Sequence, residues 1–97
     1  MIEVKRSGNS IAIHGHAGYA PHGQDVVCAG VSTLVQNLVV SILEITTDEI
    51  QYDMQPGSVV IKYGDLSANA QLLVDSFFIG IRLIASEYPN YVQIVQA

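Results

Sequence analysis

Cysteine is almost absent from this chain: Cys28 is the one such residue in 97. A single thiol cannot close an internal disulfide, and it is easiest to keep reduced in the cytosol, so a cytoplasmic protein is expected. Basic residues are scarce too, four Lys and Arg against nine Asp and Glu, for a net charge of −5. Phosphate-backbone binding relies on clustered Lys and Arg, which argues against a direct nucleic-acid partner. A basic polypeptide partner suits the charge better, because opposite charges steer association. Gln36, Asn37, Ser41 and Glu44 interrupt the most apolar stretch, which reads against a membrane span and a membrane partner. The opening Met-Ile-Glu-Val-Lys-Arg has no signal-peptide apolar core. Internal repeats and low-complexity segments are lacking as well.

What is present is a hydrophobic share of 49%, enough for one modest core, so residues 1–97 read as a single domain. Ile2 and Val4 alternate with polar neighbours, Ser7-Gly8-Asn9 has turn chemistry, and Ile11 and Ile13 alternate again: a hairpin. Periodicity is then lost over 14–24, where Gly15, Gly18, Pro21 and Gly23 mark a loop of about ten residues. Asp25 suits an N-cap, and Val27, Val31, Leu34, Val35, Leu38, Ile42 and Ile45 fall on one helical stripe, with Val39, Val40 and Leu43 widening it. Ile50, Tyr52 and Met54 predict a strand, Gln55-Pro56-Gly57-Ser58 a turn, and 59–63 the returning strand. A second helix is predicted over 67–87, with Ala70, Leu73, Val74, Phe77, Ile81 and Ile84 on its core stripe and Phe78 and Ile79 to the side. Pro89-Asn90 ends it, and 91–95 reads as a last strand.

The order β-β-α-β-β-α-β indicates an α+β sandwich, a mostly antiparallel sheet with two helices packed on one face. Both helices carry more apolar surface than one sheet face covers. An isologous homodimer would bury the surplus, and a tight monomeric core is the other reading.

The chemistry centres on Gly15 to Ser32. With Asp25 as cap, Cys28 is the third helical residue, where backbone N–H groups lack intrahelical partners. Such donors stabilise a thiolate, and the same region can offer an N–H to the oxyanion formed when a carbonyl is attacked. Three histidines, His14, His16 and His22, precede it as candidate bases. His16 is favoured, since it follows a strand end and is flanked by the small Gly15 and Ala17. His14 belongs to the strand itself and His22 lies mid-loop. Asp25 is a cap or an orienting carboxylate, and Ser32 lies one turn beyond Cys28 on the same helix face. An ordinary buried helix cysteine stays open as a reading. Zinc is the competing chemistry, but no Cys-x-x-Cys or His-x-x-x-His spacing occurs, and no nucleotide loop either, so neither metal nor cofactor is expected.

Gly15-His16-Ala17, a short glycine-containing loop, and then Gly23-x-Asp25-Val26-Val27-Cys28-Ala29-Gly30-Val31-Ser32 resemble the signature of the ribosomal-processing cysteine proteases, the Prp family. Gln71-Leu72-Leu73 through Gly80, and Glu87-Tyr88-Pro89-x-Tyr91-Val92, are similar to that family as well. Tyr19-Ala20-Pro21-His22 departs most from it. The resemblance implies a cysteine endopeptidase that removes the short N-terminal extension of bacterial large-subunit ribosomal protein twenty-seven, cutting after an aromatic and before a small residue. It implies Cys28 as nucleophile, His16 as base, and a homodimer, with Asp25 and Ser32 at recurrent motif positions. Gly15, Ala17, Gly18, Tyr19 and Gly23 would belong to a substrate-covering loop. Two alternatives stay open: a non-catalytic acidic dimer that chaperones a basic ribosomal protein, and a thiol enzyme acting on small esters or amides.

Overall fold

The computed structural model describes residues 1–21 and 23–96. Its elements are β1 (Ile2–Ser7), β2 (Ser10–His14), α1 (Val26–Ile45), β3 (Ile50–Gln55), β4 (Ser58–Tyr63), α2 (Ala68–Glu87) and β5 (Val92–Gln96). The strands make one sheet in the order β3-β4-β2-β1-β5. Three pairings are antiparallel; β5 runs parallel to β1, with Val4 opposite Ile94, so the sheet is mixed at one edge. This parallel pairing requires the chain to cross over, and α2 lies in that crossover against β5.

Register explains which face is buried. Val4 pairs with Ile13, Ile11 with Ile61, and Ile2 with Val92, so all six side chains point to one side and all are buried. Both helices cover that side. Val27, Val31, Val35, Leu38, Val39 and Ile42 from α1 join Val74, Phe77, Phe78 and Ile81 from α2 in the same core cluster. Glu3 and Lys5, on the alternate positions of β1, are exposed on the open face. Burying one such aliphatic side chain contributes roughly 1.5–3 kcal/mol, so this shared face is the main source of stability.

The helix starts follow from their caps. The Asp25 side chain accepts from the Cys28 amide at α1, and the Ser67 side chain from the Ala70 amide at α2. Two small residues let the helices approach closely. Gly30 of α1 faces the Ile84 side chain, and Gly80 of α2 faces the Leu34 side chain, so each helix receives a branched residue of the other.

Some expectations need correction. Phe78 is buried rather than lateral: it joins the core cluster beside Phe77, and the Arg6 guanidinium stacks 4.9 Å from the centre of its ring. Ile45 lies on the predicted stripe but is 65% exposed, since α1 has passed the end of the core there. Polar interruptions do not keep α1 below membrane-spanning hydropathy: an 18-residue stretch of it has a mean hydropathy of 2.0, and α2 also passes on length and composition. In the fold these apolar faces pack on the sheet and on each other. β3 is the exposed edge. Tyr52 and Met54 pair with the inward-facing Ile61 and Val59, yet remain exposed because no helix reaches over them.

Candidate active site

The end of β2, the start of α1 and the β3–β4 turn meet at one end of the sheet. His14 is the last residue of β2 and pairs with Glu3 and Ser58. That register turns its ring to the open face, where Nδ1 lies 3.3 Å from the Ser58 hydroxyl. It therefore points away from the helix layer that carries Cys28. His22 lies outside the described residues.

His16 escapes the strand's alternation because of Gly15. Its φ of +99° is the left-handed region, and a Cβ there would fall on the Met1 carbonyl oxygen, so glycine is required on both counts. The Gly15 amide donates to the Gly57 carbonyl at 2.9 Å, extending the β2–β4 ladder by one bond. The chain then swings to the helix side, and the Met1 amino group donates to the His16 carbonyl at 2.7 Å.

Cys28 is half-buried in the first turn of α1. Its amide is not free: it donates to Asp25 Oδ1 at 2.9 Å. The second carboxylate oxygen accepts from Tyr19 N at 3.0 Å and Ala20 N at 3.5 Å, so Asp25 clasps the loop to the helix mouth. The Cys28 amide, with lesser help from the loop amides, holds the Asp25 carboxyl below the ordinary carboxylate range, against a weaker opposing effect of burial. The expectation of an unpartnered N–H at Cys28 is thus corrected. Asp25 takes that donor.

Two clefts flank the thiol, and His16, Cys28 and Ser32 line both. One, of about 450 Å³, opens between α1 and the β3–β4 hairpin, with Val31, Val35, Val40, Met54 and Val59 as its apolar walls. Gly15 sits at its edge, beside Pro56 and Gly57. The other, of about 590 Å³, lies under the loop, among Gly18, Ala20, Gly23, Gln24 and Asp25. Of the loop glycines, Gly15 lines the first cleft, and Gly18 and Gly23 line the second. Ala17 and Tyr19 take other positions. Ala17 is 4% exposed in the core, and the Tyr19 ring packs edge-on against Tyr88 and Tyr91, with centroids 5.4 and 5.3 Å away.

The β3–β4 hairpin is the component that sequence reasoning missed. Met54, Gln55, Pro56, Gly57, Ser58 and Val59 all reach the apolar cleft from a segment more than 25 residues beyond Cys28. The readable signal was the Pro56-Gly57 turn, which recorded a hairpin but not its neighbour. Among the described residues, no three His, Cys, Asp or Glu side chains gather in a metal-holding group.

A thiol at a helix start, sharing two clefts with an imidazole, on a two-helix mixed sheet, is the frame of a cysteine-type peptidase. The chain matches the family described as Cysteine protease Prp across residues 1–93, and it belongs to that family. It is 29% identical over 87 residues to the ribosomal processing cysteine protease Prp of Staphylococcus aureus, covering 87% of this chain and 82% of that one. With the protein of the same description from Mycoplasma genitalium it shares 28% over 96 residues, covering 97% and 94%. A crystal structure of the Staphylococcus aureus protease with a covalently linked product peptide superposes with a TM-score of 0.95, at 24% identity over the whole of both chains. A Streptococcus mutans crystal structure superposes with a TM-score of 0.72, at 31% identity over 98% of this chain and 90% of that one.

Proposed function

We propose that this peptidase removes a short N-terminal extension from large-subunit ribosomal protein twenty-seven, cutting after an aromatic residue and before a small one. Cys28 is the nucleophile and His16 the base. The observation that carries this reading is that both line the same two clefts. Relatives named for ribosomal processing, and one solved with a substrate peptide, support the substrate class.

In this mechanism the imidazole takes the thiol proton, and the thiolate sulfur attacks the carbonyl carbon of the aromatic residue. The C–N bond breaks as His16 returns the proton to the leaving amine, which is the new N-terminus of the mature protein. Water, deprotonated by His16, then attacks the thioester and frees the carboxylate product and the thiol. The apolar walls from Val31, Val35, Met54 and Val59 suit an aromatic side chain. The cleft under the loop would take the small residue after the cut, and the loop would cover it as a lid. The chain's net charge of −5 favours capture of a basic substrate, and cytoplasmic residence would keep the thiol reduced.

A homodimer forms part of the same reading. Leu72, Ile79 and Leu83 on α2, and Val40, Leu43 and Ile45 on α1, are exposed apolar side chains that a second copy would cover. Sedimentation velocity of the Ile79→Glu, Leu83→Glu double variant checks it: a shift to monomer is expected.

Mass spectrometry of an extended ribosomal-protein peptide tests the chemistry. Wild type is expected to release the extension, whereas Cys28→Ala and His16→Ala lose cleavage by at least about a thousandfold while remaining folded. Cleavage by Cys28→Ala at the wild-type rate would remove the nucleophile. An intact peptide that nevertheless binds wild type would favour the chaperone reading.

A further inference from the structure

The seat of the His16 ring is the backbone of another hairpin. Gly57 sits in the β3–β4 turn with φ +74°, and its Cα carries no side chain toward the site. A Cβ built there would lie 2.6 Å from His16 Nε2, closer than real Cβ contacts come, and 3.0 Å from Cε1. The Gly57 carbonyl also accepts from the Gly15 amide at 2.9 Å. The turn therefore holds both the backbone before His16 and the ring itself. Among the described residues, no carboxylate hydrogen-bonds that ring, so a Cys–His–Asp orienting arrangement is not what fixes it.

We infer that Gly57 is a positioning residue for His16: its bare Cα is the surface against which the imidazole is seated beside Cys28. The inference rests on the reading of His16 as base. Because the nearest atoms belong to a side-chain ring and not to backbone, an added methyl displaces the ring more readily than it disrupts the hairpin. A base moved by about 1 Å loses alignment with the thiol and the leaving amine, which costs on the order of a hundredfold in rate. A residue that merely shaped the cleft would act on substrate affinity instead.

Gly57→Ala and Gly57→Asn test this, with His16→Ala as reference and Gly8→Asn as control. Asn tolerates left-handed φ, so Gly57→Asn adds the Cβ with little backbone strain. Gly8 has φ +50° with open space around it, remote from the site, so Gly8→Asn controls for the left-handed backbone alone. Each full-length variant is melted thermally, assayed for kcat and KM on the extended peptide, and alkylated with iodoacetamide across pH. Expected for both Gly57 variants are a kcat about a hundredfold lower, KM within about threefold of wild type, and an alkylation pH profile that moves onto that of His16→Ala. Gly8→Asn keeps all three wild-type values.

Wild-type kcat and alkylation profile in folded Gly57→Asn overturn the inference, as does a loss confined to KM. Failure of both Gly57 variants to fold also overturns it, since the role would then be structural. Wild-type cleavage by His16→Ala instead removes the base reading on which the inference rests, so the two failures are distinct.

Discussion

Tyr19→Ala should release the loop that roofs the second cleft. The Tyr19 ring makes two edge-to-face contacts, with Tyr88 and Tyr91, at interplanar angles of 80°. Such pairs contribute about 0.5–1.5 kcal/mol each beyond burial. Tyr19 is 44% exposed, so the lower half of that range applies, and the pair together hold the loop with about 1–2 kcal/mol. A tenfold change in an equilibrium corresponds to about 1.4 kcal/mol, so losing the ring raises the open population of the loop about 5- to 30-fold. Amide hydrogen exchange reads this directly. The amides of residues 19 and 20 are held by the Asp25 carboxylate, and their exchange should accelerate by that factor. Amides in the middle of α1 should not change, because the core beneath is untouched. Unchanged exchange at residues 19 and 20 would refute the reasoning: the clasp at Asp25 would then hold the loop without the aromatic anchor.

Asp25 and Asp48 should make the helix starts acid-labile. The Cys28 amide depresses the first carboxyl; the Ser67 hydroxyl and amide depress the second. A carboxyl lowered in the folded state contributes stability that is present above the unfolded value and lost as pH falls through the folded one. Thermal melts should therefore decline from about pH 5 to about pH 2, and Asp25→Asn with Asp48→Asn should flatten that decline. Ser67→Ala removes the α2 cap and a partner of Asp48, and should cost about 1 kcal/mol in urea unfolding. Gly30→Ala and Gly80→Ala should differ in sign. A Cβ at Gly30 meets one terminal methyl of Ile84 at 3.3 Å, so the gain in helix propensity wins by about 0.5 kcal/mol. At Gly80 it meets both Leu34 methyls at 3.0 Å, so overpacking wins by about 1 kcal/mol, again by urea unfolding.

Local chemistry was legible in the sequence where one short segment determines it. Asp25 announced the first residue of α1, and the Ser7–Ser10 hairpin and the Pro56-Gly57 turn were readable from turn residues alone. The predicted start of α2 at residue 67 falls on its capping residue: Ser67 caps the helix, helped by Asp48 from 19 residues earlier. Strand order was not legible. Nothing local to Val92–Gln96 says that it pairs in parallel with β1, because that choice depends on how α2 crosses the sheet. The exposure of Tyr52 and Met54 was equally hidden: alternation identifies an inward face but not whether a helix lies over it. At the site, residue types pointed to Cys28 and His16. The turn against the imidazole became visible only through the β2–β4 register, which joins residues more than 40 positions apart.

That register has a consequence for when the thiol becomes useful. β4 pairs with β2 only after α1 and β3 have been made, so a ribosome-bound chain ending near residue 50 holds Cys28 and His16 without the turn that packs beside the imidazole. Long-range pairing of this kind closes late. A truncated or partly unwound copy therefore carries the cysteine without the apolar cleft that the β3–β4 hairpin builds beside it.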